Sequence, residues 1–221
     1  MRLFSYYDVI IFDCDGVLFD SNDLKIEALG KALQEFDISS IEVEICKSYF
    51  AENFGKSRFH HIDYFVENFL NIDNSDIENF KEKLLKSYSE QCKKLYLTAD
   101  TTPFSEKLLT KSRVIKYVAS GSEEGELIDA FQRRGLDAYF VKILGSPVKK
   151  TTHVANILKE NILPKAVMVG DAISDLEAAK DNNIDFVFYS PFSNVELKMR
   201  ELCFKYNYRV IESFEEVLKE I

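Results

Sequence analysis

The sequence lacks any apolar run long enough to cross a membrane, and it lacks an excess of positive charge. No stretch reaches the roughly 18 apolar residues of a spanning helix, and the first residues show no signal-peptide core. Acidic residues outnumber basic ones, which gives a formal net charge of -9 and an isoelectric point near 5.0. Because nucleic acids and membrane surfaces are polyanionic, this charge argues against both as partners. We therefore expect a soluble cytoplasmic protein.

Paired cysteines, internal repeats and flexible linkers are also missing. The four cysteines are widely scattered, with none of the close spacing that a zinc site or a redox dithiol shows. We expect free thiols, with Cys14 facing the core. With 221 residues and 46% hydrophobic content, the chain can bury the core of one large domain, or of one domain that carries an insertion.

Strand-like apolar runs alternate with amphipathic helical segments from Arg113 onward. This alternation predicts an α/β fold in which a parallel sheet is covered on both faces. A further apolar run near the N-terminus adds one more strand. The predicted strands are 9–12, 114–119, 139–144, 166–169, 186–189 and 208–211. Gly135 should end the helix after the second strand, and capping boxes predict helix starts at Ser75, Ser174 and Ser213.

Residues 21–96 interrupt this alternation and contain no convincing strand. Apolar residues recur there at helical spacing, as at Phe80 and Leu84. We therefore predict an all-helical insertion at 21–96 within an α/β core domain formed by 1–20 and 97–221.

Two aspartates stand one residue apart directly after the first predicted strand. Asp13 and Asp15 follow the apolar run 9–12. Closely spaced carboxylates repel each other unless a cation or a proton holds them. In an open parallel sheet, ligands bind at the carboxyl ends of the strands. The pair therefore indicates a metal-dependent reaction site.

Three further motifs follow this one along the chain. The four are Asp13-Cys14-Asp15-Gly16-Val17, Val118-Ala119-Ser120-Gly121, Lys149-Lys150 and Gly170-Asp171-Ala172-Ile173-Ser174-Asp175. Together they resemble the motifs of the haloacid dehalogenase superfamily of phosphotransferases. The resemblance covers nearly the whole chain, and the helical insertion is similar to the mobile cap of its phosphoglycolate-phosphatase-like members. It implies a three-layer Rossmann-like core with a parallel sheet and an all-helical cap domain.

The resemblance also implies a role for each acid. Asp13 would be the nucleophile that forms an aspartyl-phosphate, and Asp15 would be the general acid and base. Asp171, together with Asp13 and the backbone carbonyl of Asp15, would bind Mg²⁺, which prefers hard oxygen ligands and phosphate. Asp175 would steady a bound water or another metal ligand, or else only complement a helix dipole. An acid at position 15 is typical of phosphatases and phosphomutases, since halide release by a dehalogenase needs no proton.

The other motif residues would contact the transferring phosphoryl group. Ser120 would donate its hydroxyl to a phosphoryl oxygen, as would backbone N–H groups near Gly16 and Gly121. One lysine would neutralise the nucleophile and the phosphate together. Lys150 has the better spacing to the following helix face, and Lys149 is the alternative.

A basic turn at 55–58 is the candidate substrate contact within the insertion. Gly55 leads into Lys56 and Arg58 just before a predicted helix, where a cap could present both cations to an anionic substrate. The competing interpretation is an ordinary solvated helix start.

The sequence thus predicts a Mg²⁺-dependent phosphatase that acts on a small phosphorylated metabolite of the phosphoglycolate or sugar phosphate type. One alternative is a sugar phosphomutase similar to beta-phosphoglucomutase, which protects its phosphoenzyme from water. The other is a non-catalytic binding module that keeps the fold. Neither nucleic acid nor membrane is expected as a partner, and the protein would be a monomer or a homodimer.

Overall fold

Six parallel strands form one sheet in the order β3-β2-β1-β4-β5-β6. The computed structural model describes residues 6–162 and 164–219. The strands are β1 (Val9–Phe12), β2 (Ile115–Glu123), β3 (Lys142–Ser146), β4 (Ala166–Gly170), β5 (Asp185–Tyr189) and β6 (Arg209–Ile211). This order places β1 inside the sheet, with β2 on one side and β4 on the other. The predicted parallel α/β class is confirmed.

The strands at the centre are apolar along their whole length because both faces of the sheet are covered. Every residue of β1 and of β4 is buried. Ile10 and Phe12 pack into one apolar cluster, whereas Val9 and Ile11 pack into another, as the two-residue repeat of a strand requires. The described helices are α1 (Asn22–Leu33), α2 (Ser40–Glu52), α3 (Arg58–Asn68), α4 (Ile77–Thr98), α5 (Ser105–Lys111), α6 (Glu124–Arg133), α7 (Lys150–Glu160), α8 (Ile173–Asp181), α9 (Glu196–Tyr206) and α10 (Phe214–Leu218).

Helices α1 to α4 follow β1 and form what we call the helical insertion, residues 22–98. The structure describes all of these residues, which form only helices and connecting turns. Leu29 and Leu33 of α1 are buried together with Leu84 of α4, and they share one apolar cluster with Phe12 of the sheet. The insertion therefore packs directly on the core. Among the described residues, no helix has both the length and the apolar character needed to span a bilayer.

The two segments that join the insertion to the core run side by side. The N–H of Asp20 donates to the carbonyl oxygen of Asp100 (2.9 Å), and the N–H of Thr102 donates to that of Leu18 (3.0 Å). The segment that leads out of β1 into the insertion therefore lies beside the segment that leads back to the core. Both ends of the insertion consequently lie at the carboxyl edge of the sheet.

Two of the predicted helix starts are wrong. Helix α4 begins after Asp76 rather than at Ser75, and no side chain caps it. Helix α8 begins after Ala172, whose N–H donates to the carboxylate of Asp175 (3.0 Å). The side chain that closes this turn is therefore that of Asp175, and Ser174 lies inside the helix.

The other two helix ends agree with the sequence. Ser213 caps α10 by accepting a hydrogen bond from the N–H of Glu215 (3.0 Å). Its expected partner Glu216 instead accepts from the N–H of Glu212 (3.0 Å), so the start is confirmed and the reciprocal box is not. Gly135 follows α6 with a φ of 66°, a conformation that glycine adopts without steric cost.

Two strand boundaries differ from the prediction by three residues or more, and the others by at most two. Strand β2 continues to Glu123 because its last residues pair with β3 again after a register shift. The strand predicted from residue 139 begins only at Lys142, since Asp137–Tyr139 forms a short 3-10 helix. Tyr139 and Phe140 nevertheless pack against the apolar core, which explains why they read as part of a strand.

Candidate active site

Three adjacent strands and the helix after β3 bring the sequence motifs together at one edge of the sheet. Phe12 of β1 lies opposite Val118 of β2 and Val169 of β4, so the residues just beyond these three positions meet at the same level. The side chains that meet there are all buried: Asp13, Asp15, Ser120, Lys150, Asp171 and Asp175. The fold therefore assembles every predicted motif in one water-poor place.

Lys150 is the motif lysine that reaches the site. Its ammonium lies 3.1 Å from Asp13 Oδ1 and donates a hydrogen bond to Asp175 Oδ1. Lys149 is exposed and stands at the N-cap of α7, so its side chain belongs to the surface. Burial acts to lower the pKa of Lys150, but the charges of Asp13 and Asp175 outweigh it and raise that pKa. The lysine consequently stays an ammonium ion.

Three carboxylates form a buried acidic cluster around this lysine. Asp13, Asp171 and Asp175 each place an oxygen within 4.8 Å of the others. Burial and the charge of Asp175 raise the pKa of Asp13 to about 7, although Lys150 opposes the shift. Burial and the charge of Asp13 raise the pKa of Asp171 well above its usual value. One ammonium does not compensate three carboxylates, so the cluster attracts a further cation or protons.

The unpaired oxygens of this cluster fit a divalent metal ion. Asp171 Oδ1 is buried and accepts no hydrogen bond from any described residue. Both oxygens of Asp175 are engaged, one by Lys150 and the other by the N–H of Ala172. Hard oxygen donors of this kind suit a cation of the Mg²⁺ type. Asp13 and Asp171 are thus the side chains best placed to hold the metal, whereas Asp175 holds Lys150.

Gly16 provides the close approach that this cluster needs. Its φ is 73°, and a Cβ atom added there would lie 2.3 Å from Asp171 Oδ2. Any side chain would therefore collide with the carboxylate and strain the backbone. The turn after β1 brings the backbone against the acidic cluster only because residue 16 is glycine.

Asp15 lies near the acidic cluster but is held by a separate set of donors. Its carboxylate accepts hydrogen bonds from Ser21 (2.6 Å), Lys25 (2.8 Å), Tyr96 (2.9 and 3.0 Å) and Ser122 (2.7 Å). Burial acts to raise the pKa of Asp15, but the Lys25 ammonium and the hydroxyl donors outweigh it and lower that pKa. Asp15 is therefore held as a carboxylate.

Sequence reasoning missed these partners of Asp15. Ser21 and Lys25 are four residues apart, which is the spacing of one helix face and the one local signal that could have identified them. Nothing in the sequence near Tyr96 connects it with Asp15, which lies 81 residues earlier. Ser122 is two residues from the predicted Ser120 and lies in the extension of β2 that was also missed.

Ser120 keeps a hydroxyl hydrogen free for a ligand. Its oxygen accepts a hydrogen bond from the N–H of Ser122 (3.1 Å), and the side chain is buried. The O–H can still donate, as the predicted contact with a phosphoryl oxygen requires. Its neighbour Gly121 lies against the insertion, and a Cβ atom there would lie 2.2 Å from the carbonyl oxygen of Gly55. The turn that contains Gly55 therefore lies directly over the Ser120 motif.

Arg58 of this turn is engaged by the core in the observed arrangement. Its guanidinium forms two hydrogen bonds with the Glu126 carboxylate of α6, at 2.8 and 2.5 Å. The Ser89 hydroxyl also donates to Glu126 (2.5 Å). Lys56 is less constrained, since it is exposed and its ammonium donates to the half-buried side chain of Asn53 (3.0 Å). Both predicted cations thus lie near the site, but Arg58 already has a carboxylate partner.

A small cavity lies between the basic turn at 55–58 and the Ser122 end of β2. It has a volume of about 10 Å³, which is room for a single water molecule. Lys25, Lys56 and Arg58 line it, together with Tyr88 and Ser122. In the observed arrangement this cavity therefore has no room for a substrate group larger than water.

Residues 10–189 match the family described as haloacid dehalogenase-like hydrolases. The chain belongs to this family. The matched segment contains the nucleophile candidate, the motif lysine and the acidic cluster described above. Comparison with curated protein sequences gave no match.

Solved structures show the same fold over nearly the whole chain of this haloacid dehalogenase-like hydrolase. A predicted phosphoglycolate phosphatase from Haemophilus somnus has a TM-score of 0.76 at 16% identity, covering 97% of each chain. A predicted phosphatase from Clostridium acetobutylicum has a TM-score of 0.72 at 21% identity, covering 96% of this chain and 97% of that one. CbbY from Rhodobacter sphaeroides, solved in complex with phosphate, has a TM-score of 0.71 at 17% identity and covers 96% of each chain. At these identities the likeness establishes the fold alone.

Proposed function

We propose that this hydrolase is a Mg²⁺-dependent phosphatase that removes the phosphoryl group from a small metabolite through an aspartyl-phosphate. The observation that carries the proposal is the buried contact of Asp13 with Lys150, 3.1 Å apart, beside the carboxylates of Asp171 and Asp175. A carboxylate nucleophile, a fixed cation and a metal-binding pair are the parts that phosphoryl transfer needs in one place.

Asp13 would attack the phosphorus atom while the bond to the leaving oxygen breaks, so that the phosphoryl group passes to the carboxylate. Lys150 stabilises the negative charge of both reactants, and Ser120 donates a hydrogen bond to a phosphoryl oxygen. These donors are fixed before the substrate binds, because burial and ion pairs hold them in position. Preorganised donors of this kind stabilise the charge of the transition state.

Asp15 would take a proton from the water that hydrolyses the phosphoenzyme. The contacts with Lys25 and three hydroxyl groups hold Asp15 as a carboxylate, which is the state that this second step needs. Protonation of a leaving alkoxide is the opposite task, and it requires Lys25 to move away from Asp15 or to supply the proton itself. General acid and base help is typically worth about 10²–10⁴-fold in rate.

Asp13, Asp171 and the backbone carbonyl of Asp15 are the groups that would hold the metal. A bound Mg²⁺ supplies positive charge that lets an anionic phosphate approach a carboxylate. Asp175 contributes by fixing Lys150, with the Ala172 N–H completing its hydrogen bonds.

The helical insertion would act as a cap domain that selects the substrate. Lys25, Lys56 and Arg58 line the small cavity next to Ser122, so the groups nearest the leaving part of a substrate are largely cationic. Positive charge of this kind favours a metabolite with a second anionic or hydroxyl group. The substrate is therefore proposed to be of the phosphoglycolate or sugar phosphate type, a class also named in the Haemophilus somnus protein of the same fold.

The test is phosphate release from a panel of phosphorylated metabolites, with Mg²⁺ or with EDTA. The wild type is compared with Asp13→Asn and with Asp23→Asn, a matched change at an exposed residue of α1. We expect release that requires Mg²⁺, is abolished by Asp13→Asn and is unchanged by Asp23→Asn. Phosphate that stays on an isomerised product would indicate a mutase, and no turnover of any compound would contradict the proposal.

A further inference from the structure

Asn22 joins the helical insertion to the acidic cluster. It is the first residue of α1, and its side chain is buried with 3% exposure. Its Nδ2 group donates one hydrogen bond to Asp171 Oδ2 (2.7 Å) and another to the carbonyl oxygen of Phe192 (2.8 Å). Asn22 lies outside the four motifs, yet it contacts one of the two side chains best placed to hold a metal.

The orientation of this amide follows from its neighbours. Asp171 Oδ2 and the Phe192 carbonyl oxygen are both acceptors, so the amide nitrogen must face them. An amide flipped by 180° would place Asn22 Oδ1 against these two acceptor oxygens, with no hydrogen between them. Gly16 makes room for the contact, since a Cβ atom there would lie 2.5 Å from Asn22 Nδ2. The two acceptors and the space left by Gly16 together fix the position of the Asn22 amide.

Two buried oxygens are left without a donor by this arrangement. Asn22 Oδ1 and Asp171 Oδ1 accept no hydrogen bond from any described residue. Buried polar atoms are nearly always paired, so each of these oxygens indicates a missing partner. A metal ion would satisfy the carboxylate oxygen, and a water from its hydration shell would satisfy the amide oxygen, because Mg²⁺ usually keeps several waters.

We propose that Asn22 is a positioning residue of the metal site. Its N–H group fixes Asp171 Oδ2, which leaves the buried Asp171 Oδ1 without a donor and open to a metal ion, and its own Oδ1 would accept a hydrogen bond from a water held with that ion. The inference rests on the proposed metal dependence of the function. Groups that orient a metal ligand in this way typically change metal affinity or activity by about 10–100-fold when they are removed.

A purely structural role is the competing explanation. The bond to Phe192 ties the start of α1 to the segment after β5, and its loss alone would lower the stability of the metal-free protein. Such a role predicts a change in the melting temperature without a change in metal affinity. The two explanations are therefore separated by a direct titration with Mg²⁺.

The experiment is isothermal titration calorimetry with MgCl₂ on the wild type, Asn22→Leu and Asn22→Ala. Leucine keeps the branched shape of the side chain and removes the hydrogen bonds, whereas alanine removes the side chain beyond Cβ and is a good helix former. We expect the dissociation constant for Mg²⁺ to rise about 10-fold or more in both variants. Melting curves without metal, recorded in EDTA, verify that each variant is folded.

Asn182→Leu is the matched control. Asn182 also donates twice through its amide nitrogen to carbonyl oxygens, those of Thr151 (3.0 Å) and Ala178 (2.8 Å), but it is outside the site. Its change should lower the melting temperature and leave the Mg²⁺ affinity unaltered. If both Asn22 variants bind Mg²⁺ as tightly as the wild type, or if Asn182→Leu loses as much Mg²⁺ affinity as they do, the inference about Asn22 is overturned and the proposed metal dependence is not. A wild type that binds no Mg²⁺ would overturn it together with the proposed metal dependence.

Discussion

Asp13 and Asp15 are two residues apart and have opposite pKa shifts. Burial acts to raise the pKa of both, and their neighbours decide the outcome. The charge of Asp175 adds to burial at Asp13, whose pKa rises to about 7, whereas the Lys25 ammonium lowers the pKa of Asp15. Pairs of like residues driven apart in this way are typical of sites with separate nucleophile and acid–base roles.

Arg58 and Glu126 form a buried ion pair between the helical insertion and the core. Their side chains are 5% and 2% exposed, and their closest atoms are 2.5 Å apart. Replacing one partner leaves the other charged and buried without compensation, which costs about 3–5 kcal/mol. We therefore expect Arg58→Met to lower the free energy of unfolding by about this amount in urea denaturation, and Arg58→Met with Glu126→Leu to recover most of it.

The control for this cycle is Arg133→Met. Arg133 pairs with Asp129 on the exposed face of α6, where an ion pair contributes at most about 1 kcal/mol. If the free energy of unfolding of Arg58→Met is no lower than that of Arg133→Met, the buried ion pair of Arg58 with Glu126 contributes little to stability. In that case its guanidinium would be available to a substrate at little cost.

At the scale of elements, the first turn of α1 binds Asp15 and Asp171, the two acids of the site that do not contact Lys150. Ser21 and Lys25 bind Asp15, and Asn22 binds Asp171. A movement of the helical insertion relative to the core would therefore change the surroundings of both acids at once.

The contact between Gly121 and the turn at Gly55 sets how closely the helical insertion approaches β2. We expect Gly121→Ala to push this turn outward, because the new methyl group would lie 2.2 Å from a backbone oxygen that has no room to move aside. Phosphatase kcat/KM should fall at least about tenfold, because a misplacement of about 1 Å in a site is typically costly.

Gly125→Ala is the matched control for that change. The nearest atom to its added Cβ is a carboxylate oxygen of Glu123 at 3.3 Å, which belongs to a side chain that can shift. Steady-state kinetics on both variants check the prediction. Equal activity of Gly121→Ala and Gly125→Ala would show that the observed close approach is not needed for turnover.

For the whole molecule, the buried acids make the free energy of unfolding depend on pH. The pKa of Asp13 is raised from 3.8 to about 7, so the folded state binds more protons than the unfolded state between these values. The free energy of unfolding therefore falls through this group as pH rises from about 4 to about 7, and then levels. His61 acts in the opposite direction, since burial lowers its pKa from 6.5 to about 3. The contribution of His61 to the free energy of unfolding therefore decreases as the pH falls below about 6.5.

A comparison of the wild type with Asp13→Asn removes the contribution of His61, which both proteins share. We expect Asp13→Asn to be more stable than the wild type near pH 8 in EDTA, because the buried Asp13 of the wild type is then ionised beside Asp175 and the amide carries no charge. The gain should vanish near pH 4, and Mg²⁺ should remove it near pH 8 because the metal stabilises the wild type. Urea denaturation at both pH values gives the comparison. A stability difference independent of pH would contradict the raised pKa of Asp13.

The sequence by itself determined the core of the fold and the residues that carry the motifs. Apolar runs such as Val9–Phe12 are local and mark strands wherever they fall, and parallel strands bring their carboxyl ends to one edge. Asp13, Ser120 and Asp171 could be identified because each stands directly after an apolar run or one residue beyond it. Helix starts were less predictable, since α8 begins after Ala172, whose N–H donates to the Asp175 carboxylate, and not at Ser174.

Only the tertiary structure decided which side chains surround those motifs. The spacing favoured Lys150 over Lys149, but only the structure shows that the Lys150 ammonium lies 3.1 Å from Asp13 while Lys149 stands at the exposed N-cap of α7. Tyr96 meets Asp15, and Asn22 meets Asp171, because helices distant in sequence pack on the carboxyl edge of the sheet. Such contacts depend on how the insertion as a whole lies on the core, and no local pattern of residues specifies that arrangement.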